Sequence, residues 1–317
     1  MSRLVCIGSV VLQCVIMATA FFGDVAKAAA PTVNSITYTS NGDTTRYYYL
    51  TIDLRDVYLG LTAATANNRN PVNDSWWEPR WVGDGDHRQY ALDMYNGISA
   101  SNKWALINTD YFCRGGCAGS FDVPPGSGQS PAGNPGSPQG LFIRRGTLYH
   151  RAPSSTSGPR NRAALTFASD KKASIRSFNW SSSTTGITTG VGGGPIILQN
   201  GAITCNPEGS DLGYRCGTEL QKRSGACIDS TGYKLYLIVN FNGYTTNWGN
   251  LANFMKFHLG CYNGMQFDGG GSPALVVSGQ ALVSGDKIGS GLFLQYGYWS
   301  AAPTQVQQQP DATSPVE

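Results

Sequence analysis

An aspartate followed by three glycines and a serine, Asp268-Gly269-Gly270-Gly271-Ser272, stands between two apolar runs. Each glycine loses much backbone entropy on folding, so three in a row mark a tight turn or a close approach of a ligand to the backbone. A carboxylate at the mouth of such a turn can serve as nucleophile, general base or sugar-hydroxyl ligand; as a plain turn residue it needs no chemistry. A second carboxylate ends the apolar strand that starts at Ala105, where Asn108 and Asp110 project to one face. The pair can line a sugar-binding cleft with Asp110 doing acid–base work, or Asp110 can simply open the turn before Cys113. Arg223 is of the type that grips phosphate with two donors, although on its own it reads equally as a solvated surface arginine.

Other groups lead away from familiar chemistries. Gly192-Gly193-Gly194-Pro195 is a second glycine turn, and in isolation it reads as a bulge or bend feeding a strand. Neither glycine cluster fits a dinucleotide fingerprint or a phosphate-binding P-loop. Gly270-Gly271-Ser272-Pro273-Ala274 is one residue short of a nucleophile elbow. A serine hydrolase of that kind needs a histidine downstream, and the last histidine here, His258, lies upstream. His258 falls on the apolar face of a helix, which suits a core histidine. It remains a candidate because that helix leads directly into the Asp268 strand.

The elements that must position these groups are mostly strands. Strand-like runs cover Arg46–Leu54, Gly140–Tyr149, Arg162–Ala168, Gly194–Gln199, Tyr233–Phe241 and Ala274–Val277. A weak helical pattern runs from Tyr90 to Ala100. A better one runs from Leu251 to Gly260, with Leu251, Phe254, Met255, His258 and Leu259 on one face. Asn250 is placed to cap its start and Gly260 to end it. The expected class is α+β: a single domain over 31–300 with a mostly antiparallel or mixed β-sheet core and few helices. Residues 119–140, rich in Gly, Pro and Ser, read as a long surface loop, and 301–317 as a disordered tail.

Residues 1–30 carry Arg3, an apolar stretch and Ala28-Ala29-Ala30, the pattern of a secretory signal peptide. Removing them, with Arg3, Lys27 and Asp24, lowers the formal charge from +3 to +2. That balance offers no basic field for nucleic acid and no polybasic patch for a membrane. No other segment reaches the length of a membrane span, so the mature chain is expected to be secreted or periplasmic without stable membrane insertion. Two of the eight cysteines, Cys6 and Cys14, leave with the signal. Sequence neighbours suggest the disulfides Cys113–Cys117, Cys205–Cys216 and Cys227–Cys261, among many possible connectivities. A zinc site is disfavoured: no CxxC pair is present, and His87, His150 and His258 are scattered. Trp76, Trp77 and Trp81 form either a sugar-stacking platform or a buried aromatic cluster.

Five blocks, in order, resemble the phosphodiester glycosidase domain: Ile107-Asn108-Thr109-Asp110-Tyr111-Phe112, Pro138-Gln139-Gly140 through Gly146, Gly192-Gly193-Gly194-Pro195, Arg223-Ser224-Gly225, and Phe267-Asp268 through Ser272. Asp-Gly-Gly-Gly-Ser is the most specific of them. The resemblance implies hydrolysis of the bond between a sugar's anomeric carbon and a phosphodiester. N-acetylglucosamine or another hexose in envelope or extracellular glycans is the expected sugar. It implies catalytic roles for Asp268, Asp110 and Arg223, with Arg223 on the phosphate. Asn108, Gln139, Ser224, Asn242, His258 and Ser272 would then line the substrate site. Backbone N–H groups of Gly193, Gly194, Gly269, Gly270 and Gly271 would face anionic oxygens. No cofactor is implied, although scattered carboxylates are able to hold calcium. The chain departs from the family pattern at Thr109, Ser224, Pro273 and above all Asn242-Gly243, where relatives tend to carry Asp-Gly. Two other readings follow: a non-catalytic carbohydrate-binding protein on the same fold, and a phosphodiesterase that breaks the P–O bond.

Overall fold

The computed structural model describes residues 31–65, 88–100, 102–112, 138–150, 154–155, 158–159, 162–179, 181–204, 219–297, 306–308 and 312–313. The expected signal peptide lies outside these residues, as do Trp76, Trp77 and Trp81, the cysteines Cys113, Cys117, Cys205 and Cys216, and most of the 119–140 loop.

In chain order the strands are β1 (Thr32–Ser40), β2 (Asp43–Asp53), β3 (Leu59–Thr65), β4 (Lys103–Asn108), β5 (Phe142–Arg144), β6 (Thr147–His150), β7 (Ser154–Ser155), β8 (Gly158–Pro159), β9 (Arg162–Ala168), β10 (Ala173–Phe178), β11 (Ile187–Gly193), β12 (Ile196–Gln199), β13 (Ala202–Ile203), β14 (Ser224–Ile228), β15 (Lys234–Asn240), β16 (Asn263–Gln266), β17 (Leu275–Val277), β18 (Gln280–Val283), β19 (Ser290–Tyr296), β20 (Val306–Gln308) and β21 (Ala312–Thr313). The largest sheet runs β13-β12-β16-β14-β15-β2-β1-β20, with β21 also on β1. Two five-stranded sheets run β10-β9-β11-β5-β6 and β18-β17-β4-β19-β3. Apart from the parallel pairing of β20 and β21 with β1, the sheets are antiparallel. With the two short helices this is the α+β class expected from the patterning.

Local sequence explains the hairpins. Asn41-Gly42, Arg145-Gly146, Asn200-Gly201 and Ser278-Gly279 all have positive φ at both residues. Each is the two-residue connection of an antiparallel pair, the geometry whose twist matches the strands it joins. The turn at Arg145-Gly146 splits the single strand expected over Gly140–Tyr149 into β5 and β6.

One core is shared by all three sheets. Leu50, Ile52, Leu235, Leu237 and Val239 of the large sheet meet Phe142, Leu165 and Phe167 of the second, and Ala105, Ile107, Leu275 and Leu292 of the third. Alternate residues of the same strands, Tyr47, Tyr49, Tyr236 and Ile238, face the other way and pack under a helix. Strands buried on both faces read as unbroken apolar runs, as β15 does.

That helix, α2, differs from the reading in both ends and pitch. It spans Trp248–Asn253, earlier than expected, and continues as a π-helical turn over Phe254–His258. Asn247 is the cap, accepting from the Asn250 backbone N–H at 2.8 Å. The Asn250 side chain instead bonds Asp43 and Asn41 at the first hairpin. Gly260, at φ +67, ends the segment as expected. Cys261 then pairs with Cys227 in a disulfide, joining β14 to the entry of β16. The other helix, α1, spans Ala91–Gly97 and covers the third sheet through Met94 and Tyr95. The segment read as a disordered tail contributes β20 and β21 on the outer edge of β1.

Candidate active site

The sequence-predicted residues gather where strand ends of all three sheets meet. Asp110 follows β4, and Asp268 follows β16. Arg223 precedes β14, Gln139 precedes β5, and Gly193 ends β11. Arg162, which sequence reasoning did not single out, opens β9. Backbone bonds lock the junction together. The Asp268 N–H donates to Thr109 O at 2.7 Å, Gly194 N–H to Gln266 O at 2.8 Å, and Gln139 N–H to Tyr111 O at 2.9 Å.

Asp110 is buried at 2% exposure. The Gly140 N–H donates to its Oδ2, while its Oδ1 has no hydrogen-bond partner among the described residues. Burial pushes its pKa up to about 7; the positive charge of Arg162 pulls it back and the charge of Asp268 adds to the rise. A carboxyl half-protonated near neutral pH is suited to proton transfer. The seat is tailored to it. A Cβ on Gly192 would stand 2.5 Å from Asp110 Oδ2 and 2.9 Å from the Leu141 nitrogen, so only glycine fits there. His150, also buried, holds the other side of Gly140, its Nδ1 lying 2.7 Å from the Gly140 carbonyl. A carbonyl only accepts, so that ring nitrogen carries the proton.

Asp268 is held by its backbone. Its carbonyl accepts from Asn108 Nδ2 at 2.9 Å and Ser224 Oγ at 3.2 Å. Asn108 Oδ1 accepts in turn from the Ala274 N–H at 3.1 Å. Both ends of the Asn108 amide are therefore occupied by the Asp268–Ala274 loop. Asn108 and Ser224, both expected at the substrate site, fasten this loop. A strand-end amide can bridge two loop segments in this way because its side chain both donates and accepts.

Arg223, 3% exposed, sits in a relay. Its Nη1 donates to Gln266 Oε1 at 3.1 Å, Gln266 Nε2 donates to Tyr111 Oη at 3.1 Å, and that hydroxyl donates to Gly194 O at 3.0 Å. Burial, then the negative charge of Asp268, raises the Tyr111 pKa well above that of an ordinary phenol, so Tyr111 stays a neutral donor. Arg223 Nε and Nη2 donate to the carbonyls of Thr246 (3.3 Å) and Glu219 (2.9 Å), and its guanidinium lies over the Trp248 ring. Gln139 Oε1 accepts from Arg162 Nη2 at 3.0 Å. Tyr111, Gln266, His150 and Arg162 went unrecognised because their roles arise from cross-sheet meetings. Only the place of Gln266 two residues before Asp268 on one strand was a usable signal.

The fold places the remaining predicted residues as follows. The amides of Gly194 and Gly270 donate to the backbone carbonyls of Gln266 and Lys222, so they do not present N–H groups to an anion. Close packing requires Gly193: a Cβ there would be 2.7 Å from Gln266 O. His258 is not brought to the junction. Its ring stacks on Phe254 at 5.1 Å and meets Tyr38 and Tyr49 beneath α2. Asn242 lies in the exposed turn after β15, whereas the buried Asn240 accepts from the Arg223 N–H at 2.8 Å. Ser272 is fully buried with its hydroxyl unpartnered. Among the described residues no group of three or more His, Cys, Asp or Glu is arranged to hold a metal ion. Nor is any helix among them long and apolar enough to cross a membrane.

The sequence pattern of the phosphodiester glycosidase domain matches residues 118–294. This chain belongs to the phosphodiester glycosidase family. The catalytic domain of zebrafish N-acetylglucosamine-1-phosphodiester alpha-N-acetylglucosaminidase, solved auto-inhibited by its pro-peptide, has a similar fold. Its TM-score is 0.54 at 14% identity, over 86% of this chain and 85% of that one. A hypothetical protein from Synechocystis superposes with TM-score 0.51 at 12% identity, over 86% of this chain. The alignment spans 64% of that protein's length. At such identities the likeness is one of fold. No curated protein matches the chain in sequence. Four of the family-like blocks, from Gln139 to Ser272, fall within the matched range, and Asp110 joins them through Gly140 and Gly192.

Proposed function

We propose that this chain is an exported hydrolase that cleaves the glycosidic bond of a sugar 1-phosphodiester. The sugar is of the N-acetylglucosamine type or another hexose, in envelope or extracellular glycans. The observation that carries this reading is the meeting of two electrostatically coupled aspartates with two buried arginines at one junction of strand ends.

The chemistry follows from the charges. A phosphodiester leaves more readily than an alkoxide, so the main demands are support for an oxocarbenium-like carbon and for the departing anion. Asp268 supports the positive anomeric carbon as nucleophile or as a fixed negative charge. Asp110, protonated near neutral pH, gives its proton to the glycosidic oxygen as the carbon–oxygen bond breaks. Water then forms the new bond to the anomeric carbon and returns a proton to Asp110. The products are a free reducing sugar and a phosphate monoester.

Proton and phosphorus NMR of the purified chain with an N-acetylglucosamine 1-phosphodiester tests this, beside Asp268→Asn. Reducing sugar and monoester should appear with the wild type. The variant should lose at least about 100-fold in turnover at an almost unchanged thermal midpoint. Full activity of the variant would remove Asp268 from the reaction, and unfolding of the variant would make it a turn residue.

A further inference from the structure

We propose that Arg162, rather than Arg223, holds the anionic group of the ligand, through an edge of its guanidinium that no group among the described residues occupies. This deepens the glycosidase reading and rests on it for the identity of the anion, a phosphate ester oxyanion.

Arg162 is 7% exposed, and its Nη2 donates to Gln139 Oε1. Its Nε and Nη1 are buried and have no partner among the described residues. Whichever Nη2 hydrogen goes to Gln139, one complete two-donor edge of the guanidinium remains. That edge matches two oxygens of a phosphate or carboxylate. A buried unmade donor is destabilising, more so when charged, so native proteins rarely keep one without an external acceptor. Two of them on a single guanidinium call for an oxyanion.

The charge of Arg162 also reaches Asp110. The Oδ1 of that carboxyl has no hydrogen-bond partner among the described residues, so the two groups attract each other without a hydrogen bond between them there. A ligand oxygen between them would accept from Arg162 and from a protonated Asp110 together. Arg223 offers less. Each of its three nitrogens already donates to a protein oxygen, and its charge holds Gln266 and through it Tyr111. It is a positioning residue for the Asp268 side of the junction.

Calorimetric titration of the full chain with inorganic phosphate tests the assignment, using wild type, Arg162→Gln and Arg162→Lys, with thermal midpoints recorded. Arg162→Gln should weaken phosphate binding at least about tenfold, the loss expected for a charge-assisted bond. Arg162→Lys should weaken it severalfold, because a point charge replaces the planar edge. If the glutamine variant does not fold, the lysine variant decides. Phosphate binding unchanged in the folded variants, or absent from the wild type, would overturn the assignment. Turnover is not needed for this readout. A chain that binds phosphate through Arg162 but releases no sugar keeps the assignment and loses the glycosidase reading. A chain that hydrolyses the diester with an unaltered KM in Arg162→Gln does the reverse.

Discussion

At the scale of single residues, the chemistry turns on two carboxyl groups, Asp110 and Asp268. Asp110 is buried, accepts from the Gly140 N–H and is pushed up to about 7 by that burial. Asp268 contributes the negative charge felt by both Asp110 and Tyr111. A carboxyl that its surroundings raise toward neutral pH is suited to act as the acid. If Asp110 works as the acid, kcat/KM should fall as pH rises through about 7. Asp110→Asn should remove that limb and lower kcat by about 100-fold or more. A rate profile whose limb survives in the variant would place the titrating group elsewhere.

At the scale of elements, the site is built from strand ends and the glycines that let them crowd. β11 passes so close to Asp110 that its own Gly192 has no room for a side chain, and β11 enters the next strand past Gly193, against the Gln266 carbonyl. Asn108 fastens the loop of Asp268 on the neighbouring sheet from two sides. Gly192→Ala should therefore act on the reaction and on stability together. Overpacking should cost about 1–3 kcal/mol, seen as a lowered denaturant midpoint. Displacement of the Asp110 carboxyl should reduce turnover well beyond what that instability explains. An alanine variant with wild-type turnover would show that Asp110 need not sit where Gly192 admits it.

At the scale of the whole molecule, three sheets share one core and meet at one end, so groups far apart in sequence become neighbours. The arrangement has a cost that pH reveals. Asp110 binds its proton more tightly folded than unfolded, so the folded chain carries the extra proton between the ordinary value of 3.8 and about 7. Unfolding free energy therefore falls as pH rises across that window, by an amount on the order of a few kcal/mol from this group. Asp53 and Asp229, whose values are lowered, act in the opposite sense and only at acid pH. The thermal midpoint of Asp110→Asn minus that of the wild type should thus grow more positive from pH 5 to pH 8. A constant difference would contradict a raised Asp110. Part of this was legible in the sequence: the class and several of the longer strands follow from local pattern, pattern singles out Asp110 and Asp268 as candidates, and Cys227–Cys261 is one of the pairings that the spacing suggests. Arg162, Tyr111, Gln266 and His150 were not legible there. Nothing in a single strand tells which opposing strand end will supply its acceptor. The π-helical turn after Asn253 was likewise hidden, since its apolar spacing fits an ordinary helix. In the proposed reaction the carbon–oxygen bond at the sugar breaks and the phosphorus–oxygen bond survives. Hydrolysis of a hexose 1-phosphodiester in oxygen-18 water, followed by mass spectrometry of both products, distinguishes the two bonds. The label should enter the reducing sugar and not the phosphate monoester; label in the phosphate would contradict cleavage at the anomeric carbon.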